Sequence, residues 1–283
     1  MFPVIFRIGN FAVTSFGVMM FCSFIAGATI LGRQLERYQM KRELAWDLLA
    51  LIAIGGILGA KVYYLALHWQ DLVADPVHEL LSRGGLVWYG GFIGGVTAYW
   101  YQIRARKLPM ATMFDATAPA LAMAYAVGRV GCFLVGDDYG VPTDSWVGVA
   151  FPQGSPPSSA GYLRSVGVDI PADIPNSQIM AVHPTQLYEV GVGLIMFAIL
   201  WRLGRRPHKQ GQQFALFMIF YAVERFAIEF VRAKGDRLLL GLSTSQIASI
   251  VLLILGSILW TRQSSRAPAA PLEPVPARRK AAA

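Results

Sequence analysis

The sequence predicts an all-α, polytopic membrane protein of about seven transmembrane helices carrying a small irregular outer head. Three observations lead there. The 283-residue chain is 55% hydrophobic and only 15% charged, too apolar for a soluble domain of this length. Its apolar residues gather in runs long enough to cross a bilayer at about 1.5 Å of rise per residue. Its basic residues fall in short clusters between those runs, so the net charge of +8 reads as membrane topology and not as a nucleic-acid surface.

Taken in order, the runs predict spans near 12–32, 46–67, 85–103, 110–135, 184–203, 213–231 and 244–261. The first is too long for the apolar core of a secretory signal, and its charges follow it, so it is expected to remain as a helix. Orientation follows from Lys and Arg. Arg33, Arg37, Lys41, Arg42, then Arg104, Arg106, Lys107, then Arg202, Arg205, Arg206, Lys209, then Arg262, Arg266, Arg278, Arg279 and Lys280 fall on one side. The other side holds only Arg7, Arg83, Arg164, Arg232, Lys234 and Arg237. The N-terminus is therefore expected outside and the C-terminus in the cytoplasm.

Residues 1–263 read as a single membrane domain, with the head inserted at about 136–183 and rich in Pro, Ser and Gly. The tail over 264–283, with its Ala/Pro repeats, is expected to be disordered. Gly55 with Gly59, Gly90 with Gly94 and Gly91 with Gly95 have the spacing that lets helix backbones approach closely in lipid. Cys22 and Cys132 both lie in apolar runs and indicate no disulfide framework.

The informative polar residues are those inside or at the ends of spans, where an unpaired charge is costly. Counted inward from the outer ends, Phe16 and Tyr89 lie about one turn deep, Glu189 roughly 8 Å and Arg225 roughly 10 Å. Arg129 and Asp137 fall near the outer rim, and Lys61 in the outer half of its span. Arg225 is flanked by Glu224 and followed one turn later by Glu229, the spacing of an ion pair on one helical face. Pro184 suits the first position of a helix, with His183 just before it and Gln186 and Glu189 facing inward. A histidine there is a possible general base for a thiol substrate, or a solvated loop residue. Two fixed arginines in the outer leaflet point to phosphate, whose oxygens match the guanidinium fork, and the phosphates abundant at that depth are lipid headgroups. No metal-ligand spacing, phosphate-cradling glycine loop or hydrolase elbow is present to suggest hydrolysis or nucleotide use.

Gly128-Arg129-Val130-Gly131-Cys132-Phe133-Leu134-Val135-Gly136-Asp137-Asp138-Tyr139-Gly140 resembles the signature of the prolipoprotein diacylglyceryl transferase family, Gly-Arg-x-Gly-Asn-Phe-x-Asn-x-Glu-x-x-Gly. Four further stretches resemble that family in order and spacing. They are Val4 to Gly9, Gly84 to Gly91, His183 to Glu189, and Tyr221-x-x-x-Arg225-x-x-x-Glu229-Phe230-x-Arg232. The resemblance implies transfer of a diacylglyceryl group from phosphatidylglycerol to the lipobox cysteine thiol of a preprolipoprotein, at the outer face of the bacterial inner membrane and without a cofactor. It implies that Arg129 and Arg225 bind phospholipid, joined by Gly140, Glu229 and Tyr221, and that Tyr89, Asp137 and His183 line the thiol's approach. This chain departs from the family pattern at Tyr89 (usually His), Phe16 (Tyr), Cys132 and Val135 (Asn) and Asp137 (Glu). The alternative is a non-catalytic relative that binds phospholipid or lipoprotein precursor.

Overall fold

The computed structural model describes residues 3–9, 11–82, 87–233 and 241–264. Gly84-Gly85-Leu86, most of the connection after Arg232 and the tail from residue 265, with its expected disorder, lie outside the described residues. The fold is mostly helical. Its residues cluster into two compact units, one drawn from Met1–Leu31 and Phe114–Glu273, the other from Gly32–Met113.

The first unit opens with a hairpin, β1 (Val4–Ile8) against β2 (Phe11–Thr14), antiparallel with Arg7 opposite Ala12. Helix α1 (Ser15–Arg37) follows. The expected span from residue 12 is corrected here, because Ala12, Val13 and Thr14 are paired in a strand. Thr14 then starts the helix, its hydroxyl accepting the Gly17 N–H at 3.1 Å.

The second unit holds α2 (Leu44–Leu67), the short α3 (Trp69–Ala74) and α4 (Pro76–Leu81), and α5 (Trp88–Ala105). The segment between the expected spans 46–67 and 85–103 thus contains helix. Asp75 breaks α3 from α4 and caps the latter by accepting the His78 N–H at 3.1 Å, with Pro76 in the first helical turn. Helices α2 and α5 pack through glycine. A methyl group added at Gly59, Gly90 or Gly94 would strike the backbone carbonyls of Gly90, Gly59 and Gly55 respectively. Gly91 and Gly95 stand apart from this seam, since a Cβ there makes only ordinary contacts at 3.4 Å. Lys61 is bonded inside this unit, donating to Ser82 O and Oγ at 3.0 Å each.

Helix α6 (Met110–Val135) carries the chain back into the first unit. There β3 (Val149–Ala150) pairs with β4 (Ala181–Val182), and α7 (Ala160–Ser165) lies between them in sequence. The stretch after α6 contributes to an apolar cluster of Tyr139, Phe151, Ala160, Leu163, Ile170, Val182 and Ala233. Tyr139 stacks on Phe151 at 5.2 Å and donates its hydroxyl to Pro157 O at 2.7 Å.

The last three helices are α8 (Thr185–Leu203), α9 (Gln212–Ile228) and α10 (Thr244–Ser264). Pro184 is the residue before α8, not its first residue. Asp115, on α6 and almost fully buried, fixes the start of α9 by accepting N–H groups of Gly211 at 2.5 Å and Phe214 at 2.9 Å. Gly211 sits at φ +87°, the left-handed turn that lets the chain enter α9. At α10, Ser243 and Gln246 cap each other reciprocally, at 3.0 and 3.1 Å.

Helices occur at all seven predicted places, and five of them among the described residues, α1, α2, α6, α8 and α10, are long and apolar enough to cross a membrane. The other two, α5 and α9, are shorter at 18 and 17 residues.

Candidate functional site: a ring of arginines and carboxylates

The site grows from the way three stretches of backbone lock together at one end of the first unit. Gly136, at φ +74°, ends α6 in the left-handed conformation common after a helix. The chain then runs past Gly140, whose N–H donates to His183 O at 2.8 Å, while Val141 N–H donates to Val231 O at 2.8 Å. A side chain at Gly140 would meet Val231 O at 2.5 Å and His183 Cβ and Thr185 Cγ2 at 2.9 Å, so only glycine permits this approach. Thr185 Oγ1 donates to Asp138 O at 2.7 Å, and Gln186 Nε2 donates to Asp137 O. The first turn of α8 therefore holds the 137–138 backbone in place, with Asp138 itself at φ +57°.

On that scaffold six charged side chains close a ring of alternating sign. Arg129 on α6 reaches Asp138 at 3.0 Å and Glu189 on α8 at 3.1 Å. Arg225 on α9 reaches the same Glu189 oxygen at 3.5 Å and Glu229 at 3.0 Å, the latter across one helical turn. Arg232 lies 3.8 Å from Glu229 and pairs with Asp138, which returns the ring to Arg129. Glu189 is wholly buried, Glu229 and Arg232 nearly so, and Asp138 is the most open at 35%. A buried ion of either sign is tolerated only when paired, and here each arginine touches two carboxylates.

Around the ring sit neutral partners. The Tyr125 hydroxyl lies within hydrogen-bonding distance of Glu189 Oε1 at 3.0 Å and of both Glu224 oxygens at 3.2 Å. The Tyr125 ring also faces the Arg129 guanidinium at 5.4 Å. Ser245, in the first turn of α10, accepts from Arg225 at 3.1 Å. Tyr221 meets Tyr125 edge-on at 5.5 Å. Glu224 also borders an open, mainly apolar groove of about 200 Å³ shared with Tyr188, Val192, Ala227, Ile228 and Val231.

Of the residues singled out from sequence, Arg129, Arg225, Glu229 and Glu189 are in the ring, Tyr221 is one shell away, and Gly140 shapes the backbone beside it. Asp137 stands next to the ring instead of within it. Its carboxyl pairs with the Cys132 thiol and is pushed up to about 6, chiefly by burial and then by the negative charge of Asp138. Cys132 Sγ is 3.7 Å from Arg129 Nη1. His183 is half-buried, its Nδ1 3.1 Å from the Tyr188 hydroxyl. Phe16 lies in the first turn of α1, where its Cα and the Met19 side chain back onto Gly131 of α6. Tyr89 belongs to the second unit, near the start of α5, and is 60% exposed.

Sequence reasoning missed Arg232 and Asp138 as members and Tyr125 as the bridge. Arg232 had been counted as a loop charge, although Tyr221, Arg225, Glu229 and Arg232 follow one another at the four- and three-residue spacing of a single helical face. Cys132, Asp137 and Asp138 bring possible ligand atoms within 4.8 Å of one another. Two guanidiniums already bind Asp138, so a cation at that place would be opposed by like charge.

The sequence profile described as Prolipoprotein diacylglyceryl transferase matches residues 3–262. The chain is 34% identical over 297 residues to a Xylella fastidiosa protein (strain 9a5c), covering 97% of this chain and 96% of that one. It is 31% identical over 284 residues to one from Neisseria gonorrhoeae (strain NCCP11945), with 92% and 95% covered. It is 30% identical over 257 residues to one from Clostridium tetani, with 90% and 94% covered. All three relatives bear the name phosphatidylglycerol–prolipoprotein diacylglyceryl transferase.

Proposed function

The chain belongs to the prolipoprotein diacylglyceryl transferase family, and we propose that it transfers the diacylglyceryl group of phosphatidylglycerol to the lipobox cysteine of preprolipoproteins. The observation that carries this reading is the convergence of Arg129, Arg225 and Arg232 at one end of the first unit, each held by two carboxylates.

In this reaction the substrate sulfur attacks the glyceryl carbon that bears the phosphate. The new C–S bond forms as the C–O bond breaks, and the bonding pair stays on the phosphate oxygen, so glycerol phosphate departs. Negative charge grows on that oxygen in the transition state, and fixed guanidiniums stabilise it most where their own partners have already oriented them. Arg129 and Arg225 bind the phosphate, and Glu189 and Glu229 set their planes. The thiol proton leaves to a base on the thiol's approach, for which Asp137 and His183 are the candidates. Asp137 suits that role, since a carboxyl titrating near 6 is ionised at neutral pH yet more basic than an ordinary aspartate.

The protein works as a multi-pass component of the bacterial inner membrane. All seven helices α1, α2, α5, α6, α8, α9 and α10 cross, the N-terminus lies outside and the C-terminus in the cytoplasm, and residues 136–183 form the outer head. The arginine and lysine asymmetry between connections supports this orientation. Purified protein in mixed micelles with phosphatidylglycerol and a lipobox peptide tests the function. The expected product is a thioether-linked diacylglyceryl peptide, and its absence under conditions where a relative such as the Xylella enzyme forms it refutes the reading.

A further inference from the structure

We infer that the Asp138 carboxylate is a built-in placeholder for a phosphate ester, seated between Arg129 and Arg232 and displaced from them when the phosphate binds. The inference rests on the phospholipid reading above and adds Arg232, and a competitor, to the proposed phosphate site.

Four observations lead to it. First, Asp138 presents one carboxylate oxygen to Arg129 at 3.0 Å and the other to Arg232. A carboxylate bridging two guanidinium forks in this way holds the place that two phosphate oxygens would take. Second, the three acids of the ring are not equally committed. The Glu189 and Glu229 side chains are 0% and 4% exposed, whereas Asp138 is 35% exposed. It is the acid that water reaches, and its release costs least desolvation. Third, the backbone of Asp138 is anchored independently of its carboxylate, through Thr185 Oγ1 on the Asp138 carbonyl. The side chain swings about its own torsions while the loop stays in place. Fourth, the charges fit. The ring sets three arginines against three carboxylates, so replacing Asp138 with a phosphodiester exchanges one negative charge for another and leaves the rest of the ring as it was.

The same arithmetic gives Asp138 a part in turnover. The diester carries a single charge, but the released glycerol phosphate is a monoester of about −1.5 to −2 at neutral pH, the charge such groups carry on proteins. Without a competitor the arginines would hold this product more tightly than the substrate. The returning Asp138 carboxylate competes for the same two guanidiniums and favours its release.

The test compares the full-length protein with Asp138→Asn, which keeps size and shape and removes the charge. Initial rates of transfer from phosphatidylglycerol to a lipobox peptide give the KM for the lipid, and added glycerol phosphate gives its Ki as product inhibitor. A parallel thermal-unfolding titration, without peptide, reads protection by glycerol phosphate and by phosphatidylglycerol micelles separately. In Asp138→Asn the KM for phosphatidylglycerol is expected to fall about fivefold, the scale of one partly exposed ion pair, and the Ki to fall further. Unchanged or raised constants overturn the proposal, because Asp138 would then be holding the arginines in place and not standing in for a ligand. If Asp138→Asn does not fold, Asp138→Ser removes the same charge, and failure of both to fold identifies a structural clamp and also overturns it. If the unaltered protein transfers nothing, the transferase reading fails by itself. Tighter protection of Asp138→Asn by glycerol phosphate would still support the placeholder with a free phosphate ester as ligand, and tighter protection by the lipid alone would assign it to the headgroup. No change in protection by either would sink it.

Discussion

Glu189→Gln removes one charge from the centre of the ring while keeping the side chain's volume. Glu189 Oε1 lies 3.1 Å from Arg129, 3.5 Å from Arg225 and 3.0 Å from the Tyr125 hydroxyl, and the residue has no exposure to solvent. Removing one partner of a fully buried ion pair costs about 3–5 kcal/mol. Here Arg129 keeps Asp138 and Arg225 keeps Glu229, so roughly half that cost survives, about 2 kcal/mol. With its amide oxygen in the place of Oε1 the glutamine still offers both guanidiniums an acceptor, so the loss is that of the charge. Expressed as misplacement of the two arginines in the transition state, about 2 kcal/mol is about a 30-fold fall in kcat/KM for phosphatidylglycerol. The assay is steady-state transfer to a lipobox peptide, with circular dichroism at the assay temperature to establish that the variant is folded. A folded Glu189→Gln protein retaining kcat/KM within about threefold of the original would show that the shared carboxylate does not position the arginines, and the reasoning would be wrong.

Three further outcomes are expected. Arg225→Ala abolishes transfer, whereas Lys209→Ala, in the connection between α8 and α9, leaves the rate unchanged; equal effects in rate measurements would remove Arg225 from the site. Gly140→Ala, whose added methyl meets Val231 O at 2.5 Å, destabilises the fold by about 2 kcal/mol or more, read as a lowered unfolding temperature in detergent. Asp137 acts on rate and on stability with opposite signs. As a base it must be ionised, so kcat/KM rises as pH increases through about 6, and Asp137→Asn loses that limb. Because the fold raises this carboxyl above its ordinary 3.8, it favours the protonated form, and stability is highest below that value and declines as pH rises to about 6. The group is partly solvated, so the decline is about 1 kcal/mol, measurable by denaturant unfolding across pH 3 to 7.

The parts of this molecule that the sequence disclosed are those where lipid constrains composition. An arginine within an apolar run must be paired, which is why Arg129 and Arg225 stood out, and a one-turn spacing from Arg225 to Glu229 is visible in one dimension. Asp138 and Arg232 escaped because they lie just past the ends of apolar runs, where a charge ordinarily faces water. Only the backbone bonds joining 139–141 to 231–233 bring them together, and no local pattern announces those. The apolar cluster after α6 was hidden for a related reason, since Tyr139, Phe151, Leu163 and Val182 are scattered through a Pro- and Gly-rich stretch with no period to betray them. The start of α1 was misplaced because Ala12-Val13-Thr14 is as apolar as the helix it precedes, and its pairing with β1 is non-local.

The distribution of the ring along the chain bears on how the protein is made. Helix α9 carries Arg225 with Glu229 one turn behind it, so it brings its own counter-charge as it leaves the ribosome. Helix α8 does not. Glu189 sits in its second turn, and the only basic residue on that helix, Arg202, is at the far end. Its partners, Arg129 and Arg225, were synthesised 60 residues earlier and 36 residues later. Until both are beside it, α8 is an apolar segment with one uncompensated acid, a poor candidate for independent insertion. The ring thus imposes an order of assembly: α6 must be waiting in the membrane when α8 arrives, and α8 is secured only after α9 has followed. A variant that breaks the ring is expected to show its defect during synthesis, as retained or degraded nascent chain, before any defect in chemistry is read.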